Sequence, residues 1–329
     1  MTALLPHEIV WNMTNAVIPS RSLHVVAELG VADHIGDEVV GVKELATACG
    51  ADPDALDRVL ALLATHGIFE ARDEGYAHTE ASRLLRTDHP MSMRAFAHMM
   101  ALPGFMAMFD RLAHSVRTGK PAAYLVDPGG MWSYLQRHPD EAEVFARGMT
   151  GKAAADIAAV LGAYDFARFA TIADIGGGRG HLLRAVLDAV PTAQGVLFDL
   201  PEVIETLDIA TERLTPRAGD FFVDPLPEAD AYILMEIIHD WPDAESAAIL
   251  GAIRRAASPG ARVLIIENVL AEGVPDPRGR ALDVIMLAVT GGRERTPSQF
   301  RRLLEGAGFA DTTVIETAGP LRIVEAVAA

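Results

Sequence analysis

The chain has 329 residues, half of them hydrophobic, and a mean hydropathy of +0.21, so it is long enough for two domains and can bury a sizeable core. A formal net charge of −17 disfavours nucleic acid and anionic membrane surfaces as partners. The single cysteine, Cys49, excludes an internal disulfide framework and suits a reducing compartment. No basic stretch followed by an apolar one opens the chain, and no apolar run reaches ~18 residues. The expectation is a cytoplasmic protein with neither signal peptide nor membrane span. There is no tandem repeat and no low-complexity segment.

Residues 7–19 read as a first helix bracketed by Pro6 and Pro19. Ser20 is the expected cap of a second helix over 22–29, which stops at Gly30. Residues 42–49 form a short amphipathic helix, and Asp52-Pro53 caps a longer one over 54–66, with Leu56, Val59, Leu60, Leu62 and Leu63 inside. Ile68-Phe69 and Tyr76-Ala77 flank Arg72-Asp-Glu-Gly75 as the two arms of a hairpin. Three helices and a hairpin make a winged helix, which serves either DNA binding or dimerisation. Residues 1–90 hold 6 Lys/Arg against 14 Asp/Glu, a net of −8, the wrong sign for a helix lying beside phosphates.

Residues 90–160 read as helical throughout. Phe96, Met99, Met100, Leu102, Phe105, Met106, Met108 and Phe109 form a Met-rich stretch interrupted by Pro103-Gly104, followed by Trp132, Tyr134, Leu135, Phe145 and Met149. Most of these suit helix cores or dimer contacts. Thioethers and rings also adapt to flat apolar ligands, so a few can line a pocket for an aromatic substrate.

The stretch 171–180, Thr-Ile-Ala-Asp-Ile-Gly-Gly-Gly-Arg-Gly, organises the remainder. A buried apolar strand runs into a glycine turn, and 181–190 continues as a helix that ends before Pro191. Strand, glycine turn and helix open a nucleotide-binding βα unit, although the same glycines with no ligand would make a bare turn. A second strand, 195–199, ends in Asp199, 19 residues beyond Gly180, where an acceptor for ribose hydroxyls belongs. NAD would also place an acid here, but glycines 176, 178 and 180 fall one residue short of the dinucleotide spacing. Further strands are expected at about 213–218, 230–235, 261–267, 311–316 and 321–327, the first of these weakened by Pro216. Helices are expected over 244–257, capped by Asp243, over 281–288 and over 297–305. Only Thr317-Ala-Gly-Pro320 separates the last two strands, too short for a helical crossover, so they pair antiparallel.

Asp174-Ile-Gly-Gly-Gly-Arg-Gly180, Phe198-Asp-Leu-Pro201, Gly219-Asp-Phe-Phe222, His239-Asp-Trp241 and Gly291-Gly-Arg-Glu-Arg-Thr296 follow one another along the chain. As a set they resemble the S-adenosylmethionine-dependent O-methyltransferases of the caffeic-acid type, which include plant phenylpropanoid enzymes and bacterial enzymes acting on aromatic natural products. The resemblance covers nearly the whole chain. It implies an α/β fold: a class I methyltransferase, Rossmann-like seven-stranded sheet with an all-α/winged-helix N-terminal dimerisation domain. The expected division is 1–90 for dimerisation, 91–165 as a helical linker and substrate-pocket region, and 166–329 for S-adenosylmethionine binding.

The resemblance also assigns roles. Gly176 and Gly178 meet the methionine part of the cofactor, Asp199 its ribose, and Asp220 and Phe221 its adenine, with Leu200 and Met235 beside them. His239, past the carboxyl end of a central strand, becomes the general base. Glu267 ends the next strand, and Glu294 is the family's other acid at this histidine; a carboxylate on Nδ1 would leave Nε2 to take a proton. Trp132, Phe145, Met149 and Met286 face the substrate, and the partner is a second copy of the chain. No metal is expected, because no metal-ligand spacing is present. Two residues depart from the pattern: Met235 replaces a lysine of plant relatives, and His181 follows Gly180 as a helix N-terminal residue. Asp283 reads as a structural acid. Two other readings use the same sequence: a relative that keeps the cofactor but hydroxylates or decarboxylates, and a winged-helix regulator that senses a ligand.

Overall fold

Runs such as Ile172-Ala173, Tyr232-Ile-Leu234 and Val263-Leu-Ile-Ile266 are apolar on both alternating faces, which demands a sheet covered on both sides. The computed structural model describes residues 4–329 and divides into two compact units. One comprises Met1–Met106 with His138–Ala154, the other Ala107–Arg137 with Ala155–Ala329. The helical stretch 91–165 is therefore shared between the two units.

In the first unit, helices Val17–Leu29, Val42–Cys49 and Pro53–Thr65 pack on the hairpin β1 (Phe69–Arg72) and β2 (Gly75–His78) around Val31, Leu45, Leu60, Leu63 and Phe69. Asp52 caps as expected, its Oδ1 accepting from the Ala55 N–H at 2.9 Å. The first two helices differ from expectation. They are Pro6–Asn15 and Val17–Leu29, so Pro19 and Ser20 lie inside the second helix. Pro19 is the third residue there, where an N–H would have no intrahelical acceptor, so its ring is tolerated. Ser20 caps nothing; its hydroxyl lies 3.4 Å from His24 Nε2. Leu5, Ile9, Val10, Trp11, Met13, Val17 and Ile18 along these two helices are exposed.

The second unit is built on β3 (Thr171–Ile175), β4 (Gln194–Asp199), β5 (Leu214–Ala218), β6 (Ala231–Met235), β7 (Arg262–Glu267), β8 (Phe309–Ile315) and β9 (Arg322–Ala328). Their order is β5-β4-β3-β6-β7-β9-β8, parallel except for β9, which runs antiparallel to both neighbours. Pro216 is accommodated because β5 is an edge strand. The chain leaves β3 for β4 on one side and later returns to β6 on the other. That reversal opens a crevice at the strands' carboxyl ends. Ala173, Ile175, Phe198, Tyr232, Leu234, Ile249, Ile253 and Ile265 fill the core.

Two helix starts also differ from expectation. Asp243 is the first residue of Asp243–Ala256 and not its cap; its carboxylate instead accepts from Arg295. Helix Pro277–Val289 begins four residues before the expected start, because Asp276 caps it through the Gly279 N–H at 2.8 Å. Thr296 and Gln299 form a reciprocal capping box on Pro297–Gly306.

Candidate active site

At the end of β3 the chain turns through Gly176, Gly178 and Gly180, all with positive φ (71°, 57° and 70°), a conformation that glycine adopts without strain. Gly176 N–H donates to the Phe198 carbonyl at 2.8 Å, tying the turn to β4. A Cβ on Gly178 would meet nothing within 4 Å, so the turn is open there. Beneath it, a Cβ on Gly177 would collide with the carboxyl of buried Asp174. Burial, and then the charge of Asp199, push the Asp174 pKa up to about 7.

Asp199 ends β4. Its Oδ2 accepts from Gly178 N–H and its Oδ1 from Leu200 N–H, both at 2.7 Å. Burial raises its pKa, opposed by these two bonds. A carboxylate has about four acceptor positions, so two remain for hydroxyl donors. Beyond β5, Asp220 Oδ1 accepts from Phe222 N–H at 2.8 Å, holding a turn. The ring of Phe221 meets those of Phe222 and Trp241 edge-on, at centroid distances of 4.8 and 5.9 Å. These three strand ends share one rim of the sheet.

β6 ends at Met235. Glu236 follows with φ 55°, and the short turn Ile238–Asp240 carries His239, which is 6% exposed. His239 Nδ1 lies 2.8 Å from Glu294 Oε1. With the ring neutral, Nδ1 donates to that carboxylate and Nε2 is the nitrogen that accepts. β7 is indeed the neighbour of β6, and Glu267 at its end reaches His239, but through the backbone: His239 N–H donates to Glu267 Oε1 at 3.0 Å. The His239 carbonyl accepts from Arg293 N–H at 2.8 Å. Glu294 is itself held, its N–H donating to Asp283 Oδ1 at 3.1 Å. Burial works to lower the His239 pKa, but the Glu294 hydrogen bond and then the charges of Asp240, Glu267 and Glu294 outweigh it and push it up to about 10. Burial raises Glu267 to about 7, against the pull of His239.

The residues expected at the substrate are distributed over both units. Trp132, 36% exposed on helix Gly130–Arg137, and buried Met286 on Pro277–Val289 belong to the unit of the large sheet. Phe145 and Met149 belong to the other unit, where Phe145 stacks on Phe105 at 6.1 Å. Sequence reasoning missed as members of the site's framework Asp174, Arg295, which holds Asp243, and Asn268, whose Nδ2 donates to Glu294 Oε2 at 3.5 Å. Asp174 and Arg295 lie within the quoted motifs and Asn268 directly follows Glu267, but nothing in the string says which of Arg293 and Arg295 turns inward. Among the described residues no group of three or more His, Cys, Asp or Glu is arranged to hold a metal ion. No helix among them is long and apolar enough to cross a membrane.

Residues 109–310 match the O-methyltransferase domain, and residues 11–88 match the O-methyltransferase dimerisation domain. A phenazine O-methyltransferase of Lysobacter antibioticus is 39% identical, covering 93% of this chain and 92% of its own length. An 8-amino-8-demethylriboflavin N,N-dimethyltransferase of Streptomyces davaonensis is 38% identical, covering 90% of this chain and 88% of its own. Among solved structures, human N-acetylserotonin methyltransferase in complex with S-adenosylmethionine superimposes with a TM-score of 0.91 at 28% identity, covering 99% of this chain and 98% of that one.

Proposed function

The chain belongs to the O-methyltransferase family, with S-adenosylmethionine as its cofactor, and from that premise we propose that it methylates a phenolic hydroxyl of a small aromatic substrate with His239 as general base. The observation that carries this reading is the buried imidazole at the carboxyl end of β6 with its Nδ1 2.8 Å from Glu294, which in the neutral ring leaves Nε2 to accept. The phenazine relative acts on an aromatic compound, as its name states.

The residues at the rim fit the cofactor. The Gly176 and Gly178 backbone offers close approach to its methionine part, and Asp199 has acceptor positions left for a ribose diol. Leu200, Asp220, Phe221 and Met235 would border the adenosine, the ring of Phe221 offering a face or edge to adenine. When bound, the cofactor supplies a methyl group already activated by a positively charged sulfur. The chain's own residues then have two tasks, orientation and proton removal. A phenol with a pKa near ~10 is a weak nucleophile at neutral pH, and a positioned base gains about 100- to 10,000-fold. Glu294 fixes the ring of His239, and Glu267 fixes its peptide. Trp132, Phe145, Met149 and Met286 are the apolar residues assigned to the substrate.

The riboflavin-type relative methylates nitrogen. An arylamine attacks through a neutral lone pair and sheds its proton afterwards, so it gains less from a buried base; the His239–Glu294 pair therefore favours a hydroxyl. The test is mass-spectrometric detection of methyl transfer to hydroxyphenazines, catechols, hydroxybenzoates and matched arylamines. His239→Gln should bind cofactor normally and lose at least about 100-fold in rate on the phenols. An unchanged rate removes His239 as base, and transfer to amines alone removes the phenol. We further assign residues 1–90 to homodimerisation, supported by the dimerisation-domain match and by the exposed apolar residues from Leu5 to Ile18. A monomer by light scattering at micromolar concentration would refute that assignment.

A further inference from the structure

We infer that Arg295 is a positioning residue for His239, pinning both ends of the turn that carries the imidazole. Arg295 is 1% exposed and is among the largest fully buried side chains of the chain. Its guanidinium spends donors on two backbone carbonyls: Nη1 donates to Ile238 O at 2.9 Å and Nη2 to Trp241 O at 2.9 Å. These residues bracket His239. The remaining donors reach helix Asp243–Ala256, with Nε and Nη2 on Asp243 Oδ1 at 3.1 and 2.8 Å and Nη2 on Ser246 Oγ at 3.1 Å.

The distribution of charge argues against a simple ion pair. The Asp243 side chain is 66% exposed, so it could hold an arginine at the surface. Instead the cation lies inside, at the desolvation cost any buried charge carries, and its hydrogen bonds go to the peptide groups on either side of His239. The neighbouring backbone completes the arrangement: Glu267 takes the His239 N–H, and Arg293 N–H takes the His239 carbonyl. With Glu294 on Nδ1, the segment 293–295 reaches the turn at four acceptors or donors, of which Arg295 supplies the outer two. A planar fork with five fixed donors suits this geometry, whereas a lysine ammonium offers a single point of attachment. The consequence is orientation: without the fork, the 238–241 turn loses its anchor to the helix that follows, and the imidazole loses its fixed place.

This inference rests on His239 being the base, and the experiment separates the two ideas. The full-length chain and its Arg295→Lys, Arg295→Ala, Asp243→Asn and His239→Gln variants would be compared. The readouts are calorimetric binding of S-adenosylhomocysteine and kcat and KM on the best phenol of the panel. Arg295→Lys and Arg295→Ala should bind the probe like the parent and lose about 100-fold in kcat, the order expected of a displacement near 1 Å. Added guanidinium should restore part of kcat to Arg295→Ala and none to His239→Gln. Asp243→Asn, a change at an exposed side chain, should show a smaller loss confined to kcat. Parental kcat in folded Arg295→Lys, or losses that only track lost probe binding, would overturn the inference. Should both Arg295 variants fail to fold, Asp243→Asn decides: a kcat loss at unchanged binding supports the inference, and an unchanged kcat overturns it. Full activity in His239→Gln would instead overturn the base itself.

Discussion

Gly292→Ala puts the role of local geometry to a direct test. Gly292 is buried against the turn that holds His239, and its φ lies outside the left-handed region, so alanine can adopt its backbone conformation. The cost is steric. An added Cβ would lie 2.6 Å from Trp241 N and closer still to the carbonyl oxygen of His239, where real Cβ contacts do not fall below 3.0 Å. Every one of these obstacles is backbone, so no side chain can swing aside. The two segments must part by on the order of 1 Å, and a misplacement of that size costs about 100-fold in rate, or about 2.7 kcal/mol of barrier. The strain also costs stability, about 1–3 kcal/mol for an overpacked site. The assay is kcat under saturating cofactor and phenol, with urea unfolding to measure stability. Gly162→Ala is the control, because nothing lies within 4 Å of its added Cβ and the site is an exposed helix position. Folded Gly292→Ala with parental kcat would refute the claim that the peptide of residue 239 must sit where it does.

Glu294→Gln removes the carboxylate whose hydrogen bond is the main force raising His239, so the His239 pKa falls and the acid limb of the kcat/KM profile moves to lower pH, with a lower plateau. A limb that stays in place would show that another group titrates there. Asp174 has a folded pKa near 7, above its unfolded value, so its neutral form stabilises the fold below about pH 4 and that contribution is lost as pH rises through about 7. Asp174→Asn should therefore gain stability over the parent between pH 5 and 8 in urea unfolding, by up to about 4 kcal/mol; a constant difference across that range would contradict it. Asp199→Ala should weaken binding of S-adenosylhomocysteine by at least about 10-fold, since a charge-assisted acceptor is worth roughly 1.5–3 kcal/mol, and unchanged affinity by calorimetry would remove it from the site.

The sheet was legible because its strands carry their signals locally. β3, β6 and β7 are apolar runs with acids or glycines at their ends, and four residues between β8 and β9 leave only an antiparallel return. Pro216 weakened β5 from sequence alone because edge position is a property of the sheet and not of the strand. Helix starts were less legible. Pro19 looked like a boundary, but a proline in a first turn and one after a last turn present the same letter. Asp243 looked like a cap until a cation 52 positions downstream claimed its carboxylate. The proximity of Glu267 to His239 followed from adjacent strands, yet its contact with the peptide in place of the ring depends on how the Ile238–Asp240 turn folds back. Arg293 is exposed and Arg295 buried in a segment without helix or strand period, so only the docking of that segment on the turn sets them apart.

A histidine raised to about 10 is protonated at neutral pH, which at first sight conflicts with its proposed work as a base. The conflict dissolves when the proton is counted over the base and the acceptor together. Imidazole beside phenol and imidazolium beside phenolate hold the same number of protons, and groups this close titrate as a pair. With both pKa values near ~10, moving the proton from phenol to His239 is close to thermoneutral; with an ordinary histidine at ~6.5 it would be uphill by about 5 kcal/mol. The surrounding carboxylates thus ease the transfer itself and move the cost to an earlier event, the loss of one proton from the pair to solvent. Below the pair's titration the competent, singly deprotonated fraction rises tenfold with each unit of pH, so activity should climb steadily into the alkaline range. Glu267, raised to about 7, adds its negative charge only above neutrality. Glu294 lies 2.8 Å from the ring's Nδ1, whereas Asp240 stands 3.9 Å from Nε2 and Glu267 bonds the peptide.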